Sequence, residues 1–187
     1  YGNAVLEPRG PVEVRSLQTF KLIYTVGRYG LDDTGAIRVV FRAMSDGQAL
    51  QTTDPAAPNH VTASASTGIP LLVEYRSRGM SARPRWKSLT VTVNGGYLSE
   101  GDVITIVFGN TTGGSPGMRV QTMADGGFEF KVLADICAVG HFVPIPDSPT
   151  IAIVPGSPVV WKAILPTLRR PGERFRFGLK AEDKWGN

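Results

Sequence analysis

Three polar residues flank a glycine-rich segment in the middle of the chain, and these residues are candidates for a ligand site. Asp102 precedes a run of β-branched residues, while Arg119 and Gln121 follow the glycine-rich residues 110–117. Such a loop can present main-chain N–H groups to an anion, and the three side chains could orient a substrate beside it. The segment lacks the Lys-Ser/Thr ending of a phosphate-binding P-loop, and no helix is expected after it. A long hairpin loop is therefore the favoured interpretation, with a binding or enzyme site as the alternative.

The one cysteine and two histidines form no pattern typical of catalysis or zinc binding. Cys137 lies four residues before His141, a spacing that matches no nucleophile signature, so we expect Cys137 to be a small buried hydrophobe. His60 lies in a polar segment without a neighbouring Asp, Cys or second His, which favours a structural role. A zinc site would have to recruit carboxylates. The sequence thus predicts no catalytic residue, no metal site and no cofactor in this chain.

Adjacent carboxylates at Asp32 and Asp33 raise the separate question of a calcium site. Calcium ions collect about six to eight oxygen ligands, and no third ligand accompanies this pair. The pair is therefore weak evidence for a metal, and a polar loop is the favoured interpretation.

Basic residues cluster in two places. The clusters comprise Arg76, Arg78, Arg83, Arg85 and Lys87, and then Arg169, Arg170, Arg174 and Arg176. Nucleic-acid binding usually combines such a patch with interleaved aromatic residues, but Trp86 is the one aromatic residue in the first cluster. The net charge is only +4, from 20 Lys and Arg against 16 Asp and Glu. A solvated basic face is favoured, and we expect no nucleic-acid partner.

The elements that must position these residues are strands, because apolar and polar residues alternate with a period of two in several segments. The alternation is clear in residues 20–26, 37–41, 89–93 and 128–132. No segment shows the 3.6-residue period of a long helix, and no apolar run approaches the ~20 residues of a membrane span. About ten short strands separated by turns predict an all-β, immunoglobulin-like antiparallel β-sandwich.

Glycine pairs predict where neighbouring strands connect. Asn94-Gly95-Gly96 and Asp125-Gly126-Gly127 are both expected to form hairpin turns. Residues 12–26 are expected to form strand throughout. Residues 43–68 show little periodicity and are expected to form a functional loop or a packed Ω-loop.

Proline content suggests how the chain divides into domains. Residues 144–158 hold five prolines, which predicts a β-sandwich domain at 1–145, a proline-rich connector at 146–158 and a strand pair at 159–187. Because an isolated hairpin is marginally stable in water, the strand pair should either complete the sandwich or begin a second Ig-like domain.

Several motifs, in their order along the chain, resemble the N-terminal region of a large uncharacterised bacterial family. The motifs are Thr25-Val26-Gly27-x-x-Gly30, Gly35-x-Ile37-Arg38-Val39, Gln51-Thr52-x-Asp54-Pro55-Ala56-Ala57-Pro58-Asn59, Gly101-Asp102-x-Ile104-x-Ile106-x-x-Gly109, Gly114-Ser115-Pro116-Gly117-x-Arg119-x-Gln121-Thr122 and Glu182-Asp183-Lys184-Trp185-Gly186-Asn187. In that family, Ig-like sandwich modules precede a metal-dependent hydrolase-like domain of the PHP type (polymerase and histidinol phosphatase-like).

The resemblance implies that any catalytic metal lies downstream of Asn187, in a further domain that is the partner of this one. PHP-type sites use His-x-His clusters, and this chain contains no such cluster. No metal ligand can therefore be carried over to residues of this chain.

Three functions follow as alternatives. The first is a non-catalytic accessory or structural module of a larger bacterial protein, hydrolytic if the resemblance holds. The second is a stand-alone carbohydrate- or surface-binding sandwich that uses Tyr29, Trp86 or Tyr97 as stacking platforms. The third is a free-standing enzyme with its site at the glycine-rich loop. The sequence leaves the ligand, the oligomeric state and the cellular compartment open.

Overall fold

The computed structural model describes residues 1–47, 49–78 and 85–187 of the chain. Within these ranges it contains β-strands and no helix, so none of the described segments is a membrane-spanning helix. The predicted all-β class is confirmed. Arg83 of the first basic cluster lies outside the described residues.

Sixteen strands occur in these ranges. They are β1 (Asn3–Glu7), β2 (Val12–Glu13), β3 (Leu17–Gln18), β4 (Phe20–Thr25), β5 (Ala36–Arg42), β6 (Val61–Ala65), β7 (Leu71–Arg76), β8 (Arg85–Val93), β9 (Val103–Phe108), β10 (Met118–Arg119), β11 (Asp125–Glu129), β12 (Lys131–Asp135), β13 (Val143–Pro144), β14 (Thr150–Val154), β15 (Val160–Ile164) and β16 (Gly178–Glu182).

Two large antiparallel sheets form the body of the molecule. A four-stranded sheet has the order β1-β4-β9-β6, and a five-stranded sheet has the order β13-β12-β5-β8-β7. A three-stranded sheet, β11-β14-β2, adjoins them, and its β14–β2 ladder is parallel. Two further ladders, β10–β3 and β15–β16, each contain two strands.

The core lies between the two large sheets, because each strand buries alternate side chains on its inner face. The four-stranded sheet contributes Leu22 and Ile106, and the five-stranded sheet contributes Val39 and Val91, all fully buried. Tyr24 is also fully buried; its hydroxyl donates to the Tyr1 carbonyl, and burial raises its pKa to about 12. The predicted β-sandwich is therefore confirmed.

Five phenylalanines pack where the three sheets meet. The rings of Phe20, Phe41, Phe108, Phe128 and Phe130 contact one another with centroid separations of 5.3–6.0 Å. Phe130 is fully buried and separates β11 from β12, so the chain passes there from the three-stranded to the five-stranded sheet. Such tilted and edge-to-face contacts are the favoured arrangement for aromatic pairs.

Both glycine-based hairpin predictions are wrong. Residues 94–96 connect β8 to β9, which lie in different sheets. The Asp33 carboxylate accepts hydrogen bonds there from the N–H groups of Gly95 (2.8 Å) and Gly96 (3.3 Å), so a distant loop stabilises the turn. Residues 125–127 lie inside β11 and form a bulge, where the Asp125 carboxylate accepts from the Gly127 N–H at 2.9 Å.

Two strand predictions also need correction. Residues 12–26 are divided into β2, β3 and β4, which belong to three different sheets, and Arg15 takes a left-handed conformation (φ 61°) at the first break. The segment 43–68, expected to be a loop, contains β6, which pairs with β9. In β6 the inward positions are Val61, Ala63 and Ala65, and such small side chains give a weak periodic signal.

The proline-rich residues 146–158 contain β14, whose Ile151 and Ile153 are buried in the core. Strand β14 lies between β11 and β2 in the three-stranded sheet. Strands β15 and β16 pair with each other and join neither large sheet. The division into a domain, a connector and the start of a second domain stays a prediction.

Candidate functional site

The structure does not bring the three predicted site residues together. Asp102 immediately precedes β9, whereas Arg119 and Gln121 follow the loop at the far end of that strand. Six strand residues at about 3.3 Å each separate the two positions by about 20 Å. The Asp102 carboxylate accepts from the Ser99 N–H at 2.8 Å, and the Asp102 carbonyl accepts from the Val26 N–H. Asp102 thus stabilises a turn.

Arg119 and Gln121 are built into the interior at the other end. The Arg119 N–H donates to Asn59 Oδ1 at 2.8 Å, and Gln121 Nε2 donates to the Met123 carbonyl at 2.9 Å. Both residues line a cavity of about 20 Å³, together with apolar residues such as Phe20. A space of this size holds about one water molecule, so it offers no room for a substrate.

The glycine-rich loop packs tightly on the loop 51–60, and we call the two together the loop pair. A Cβ atom at Gly113 would lie 2.4 Å from Pro55 Cβ, so only glycine permits this approach. Five of the loop's seven N–H groups donate within the protein: Asn110 N–H to the His60 carbonyl, Thr112 N–H to Asn110 Oδ1, Gly114 N–H to the Thr111 carbonyl, Ser115 N–H to the Pro55 carbonyl and Gly117 N–H to Ser115 Oγ. These donors are therefore not presented to an anion.

The histidine and cysteine candidates occupy different environments. His60 lies in the loop pair and is 8% exposed, and its Nδ1 has no hydrogen-bond partner among the described residues. Cys137 is exposed, so the expectation that it is buried is wrong. The reason is that β12 ends at Asp135, whose carboxylate accepts from the Val139 and Gly140 N–H groups and closes a turn at the surface. No cluster of three potential metal-ligating side chains occurs in residues 1–47, 49–78 and 85–187.

An open cleft of about 210 Å³ lies at the same end of the sandwich as Asp102. Tyr29 and Tyr97 line it and are 71% and 68% exposed. We call it the tyrosine cleft; its lining residues are Tyr29, Gly30, Leu31, Asp32, Tyr97, Leu98, Ile136 and Cys137.

A short β-bridge forms the floor of the tyrosine cleft. Leu31 and Leu98 exchange two N–H to carbonyl hydrogen bonds of 2.8 Å, and their side chains point into the core. Gly30 has φ +70°, and a Cβ there would lie 2.9 Å from the Leu98 carbonyl oxygen, so the turn requires glycine. Buried leucines thus anchor the two exposed tyrosines.

The structure separates the three aromatic residues proposed as stacking platforms. Tyr29 and Tyr97 share the cleft although they are distant in the sequence. Trp86 lies near the start of β8, whereas the last residue of that strand, Val93, bonds to Gly35 beside the cleft. Seven residues at about 3.3 Å each place Trp86 about 23 Å from that end.

The C-terminal strand pair, β15 and β16, has one apolar face and one charged face. Trp161 lies opposite Ala181, and Ala163 lies opposite Leu179; these four residues are the strand-pair face. Trp161 and Leu179 are 63% and 62% exposed.

Charged groups lie on the other face of the strand pair. The amino groups of Lys162 and Lys180 lie 2.5 and 2.7 Å from the Glu182 carboxylate, and these hydrogen bonds lower the pKa of Glu182. Two exposed apolar side chains, Val160 and Ile164, also lie on this face, so the two faces differ in charge: the strand-pair face carries no charged group.

Asp183 attaches the end of the strand pair to the sandwich. Its buried carboxylate accepts from the N–H groups of Gly156 (3.0 Å), Trp185 (2.8 Å) and Asn187 (3.0 Å). Burial alone raises the pKa of Asp183, but hydrogen bonds from the Asn187 side chain and these N–H groups outweigh it and hold the pKa well below its usual range. Asn187 in turn donates to the Thr122 carbonyl at 2.9 Å.

No protein-family model matches the chain, and no curated protein matches it. Among solved structures, the cohesin module from a Clostridium perfringens family 33 glycoside hydrolase has 13% identity and a TM-score of 0.41, covering 83% of this chain and 98% of that one. The CBM3a-L domain of scaffoldin cipA from the Clostridium thermocellum cellulosome has 14% identity and a TM-score of 0.40, covering 80% and 94%. A scaffoldin carbohydrate-binding module of family 3b from Bacteroides cellulosolvens has 11% identity and a TM-score of 0.38, covering 83% and 98%. We draw no functional conclusion from similarities at this level.

Proposed function

We propose that this chain is a non-catalytic accessory module that packs against another domain of the same polypeptide through its C-terminal strand pair. The observation that carries this proposal is the exposure of the strand-pair face, in particular of Trp161 and Leu179. Further apolar side chains are exposed in the segment that joins the two strands, at Leu165, Leu168, Phe175 and Phe177.

The energetics of the strand pair support a covering partner. A two-stranded ladder is marginally stable in water unless it buries an apolar face. Covering Trp161 and Leu179 would contribute about 2–4 kcal/mol, since full burial of one large apolar side chain contributes about 1.5–3 kcal/mol. The other face also exposes Val160 and Ile164, but it carries the ammonium groups of Lys162 and Lys180, which would be costly to bury under a partner. The partner should therefore lie on the Trp161 side.

We take the partner to be a downstream domain, in keeping with the resemblance to the bacterial family with a PHP-type domain. Catalysis and any metal would then belong to that domain. The enzyme alternative has less support from this chain, because Asp102 lies at the opposite end of the sandwich from Arg119 and Gln121. Most N–H donors of the glycine-rich loop are also occupied within the protein.

The test compares this chain with the complete polypeptide that its gene encodes. In a Cys137→Ser background, Leu179→Cys places a thiol on the strand-pair face, and Lys180→Cys places a matched thiol on the charged face. We expect alkylation of the Leu179→Cys thiol to be fast in this chain and about tenfold or more slower in the complete polypeptide, because a packed partner limits access. The Lys180→Cys thiol should react at the same rate in both.

Two results would overturn the proposal. One is equal alkylation of Leu179→Cys in the two proteins, which would mean that nothing covers the strand-pair face. The other is an encoded polypeptide that ends at Asn187, since the proposed downstream domain would then not exist.

A further inference from the structure

We infer that the tyrosine cleft binds one ring of a neutral glycan, with the ring held between Tyr29 and Tyr97. This inference goes beyond the proposed function and does not depend on what covers the strand pair. The cleft and the strand pair lie on different elements of the chain.

The first argument is that the two tyrosines serve no evident purpose in the fold. Both are more than two thirds exposed, and neither hydroxyl has a hydrogen-bond partner within the described part of the chain. A single exposed aromatic ring is ordinary, but here two rings line one cleft. A tyrosine ring offers an apolar surface with a polar tip, which suits the C–H face and the hydroxyl edge of a sugar.

The second argument concerns Asp32, which lines the same cleft as Tyr97. Asp32 follows Leu31 and Tyr97 precedes Leu98, and neighbouring side chains in extended backbone point to opposite sides, so both are directed away from the buried leucines of the bridge. Asp32 Oδ1 accepts from the Asp33 N–H at 3.2 Å, while Oδ2 has no partner among the described residues. A carboxylate oxygen only accepts hydrogen bonds, and sugar hydroxyls donate them.

The third argument is preorganisation. The Leu31–Leu98 bridge is held by two 2.8 Å hydrogen bonds, the Gly30 N–H donates to the Gly27 carbonyl, and the Asp32 N–H donates to the Ile136 carbonyl at 3.0 Å. The backbone beneath the ligand is thus fixed before binding, which reduces the entropy cost of association.

Size and charge define the class of ligand. The cleft, at about 210 Å³, is smaller than the ~300 Å³ of the smallest drug-sized pockets, so it accommodates one ring. Among the described residues that line it, Asp32 alone is charged, which disfavours acidic sugars. A quaternary ammonium ion is the competing ligand, because aromatic rings and a carboxylate also attract cations. The two ligands differ in hydrogen bonding, because a sugar hydroxyl can donate to Asp32 Oδ2, whereas a quaternary ammonium group has no N–H or O–H to donate.

The natural cysteine provides the measurement, because Cys137 is exposed and lines the cleft. Its alkylation by N-ethylmaleimide would be followed with and without cellohexaose, xylohexaose, mannohexaose and chitohexaose, and with choline as the cationic probe. We expect at least one hexasaccharide to slow alkylation with a dissociation constant of about 0.1–1 mM, as suits a one-ring site. Choline should not protect Cys137.

Variants then locate the binding. Tyr29→Ala and Tyr97→Ala should each weaken protection by about tenfold or more, since each removes one stacking surface. Asp32→Asn should weaken it too, while Trp161→Ala, which removes an exposed aromatic residue on the strand-pair face, should leave it unchanged. Protection by none of the four hexasaccharides, protection that survives both tyrosine variants, or protection by choline alone would overturn the inference.

Discussion

Aspartates in this molecule mainly stabilise turns, and this explains why they are misleading as site candidates. Asp33 accepts from Gly95 and Gly96, and these hydrogen bonds lower the pKa of its carboxyl. The Asp135 carboxylate accepts from the N–H groups of Val139 and Gly140 and thereby closes the turn after β12. A pair such as Asp32 and Asp33 suggests a cation when read from sequence, because the backbone donors that Asp33 uses lie about sixty residues away.

Asp183 gives a prediction with a definite dependence on pH. Because its folded-state pKa is lowered, the ionised carboxylate contributes stability above the unfolded-state pKa of about 3.9, and this contribution is lost as pH falls through the folded-state value. We expect the N–H groups of Gly156, Trp185 and Asn187 to be protected from hydrogen exchange at pH 7 and to lose protection as pH falls below about 4. In Asp183→Asn these three N–H groups should already exchange faster at pH 7, because a donor NH2 group takes the place of one of the two carboxylate oxygens that accept their hydrogen bonds.

Asp147→Asn is the matched control, since Asp147 is exposed. It should leave the exchange of all three N–H groups unchanged. Normal protection of these groups in Asp183→Asn at pH 7 would show that the carboxylate does not hold the C-terminal residues.

The tyrosine cleft shows how far sequence reasoning reaches for individual residues. Tyr29 and Tyr97 are recognisable as exposed aromatic candidates from their polar, glycine-containing surroundings. That the two tyrosines line the same cleft cannot be recognised from the sequence, because it depends on the bridge between Leu31 and Leu98, two ordinary leucines in separate loops. Cys137 is misjudged for a related reason, since the residue at which β12 ends decides its exposure.

Among the elements, the positions of strands with large alternating side chains are predictable from the sequence, but the strands with which they pair are not. Strands β4, β5 and β8 occur where the period of two indicates them. The glycine pair at residues 95–96 is typical of a local hairpin, but here it joins two sheets. Local sequence specifies that the chain turns, whereas the burial of the flanking strands decides which sheet each one joins.

The loop pair depends on a glycine that no turn type requires. In Gly113→Ala the new Cβ would collide with Pro55, so we expect the free energy of unfolding to fall by about 1–3 kcal/mol, the usual cost of overpacking. Urea denaturation followed by fluorescence measures this change.

Gly126→Ala is its control, because a Cβ at Gly126 meets no atom within 4 Å. We expect it to change stability by no more than about 0.5 kcal/mol. Equal stability of the two variants would mean that the close contact between the loops does not contribute to the fold.

At the scale of the whole molecule, the phenylalanine cluster joins the three sheets. The sequence indicates that Phe128, Phe130 and Val132 share one face, and all three are buried. It does not indicate that the chain changes sheets at Phe130, because the alternation continues without interruption through the change. The strand-pair face is a similar case, since alternation predicts an apolar face and leaves open what covers it.

Phe130→Ala should destabilise the entire sandwich. The ring is fully buried against four other phenylalanines, so its removal should lower the free energy of unfolding by about 3–5 kcal/mol. Differential scanning calorimetry would record this as a lower Tm of a single transition. Phe175→Ala is the matched control, since Phe175 is 49% exposed, and its Tm should stay close to that of the unmodified chain. A loss below about 1 kcal/mol for Phe130→Ala would contradict a role in joining the sheets.

The parallel ladder between β2 and β14 has a consequence for how the protein is made. Val12 pairs with Ile153, so β2 receives this partner strand only after about 140 further residues have been added. At about 5–20 residues per second, translation needs about seven to thirty seconds to supply that partner. The nascent chain therefore spends this interval with the position of β14 beside β2 empty, and a chaperone that binds near β2 would act in that window.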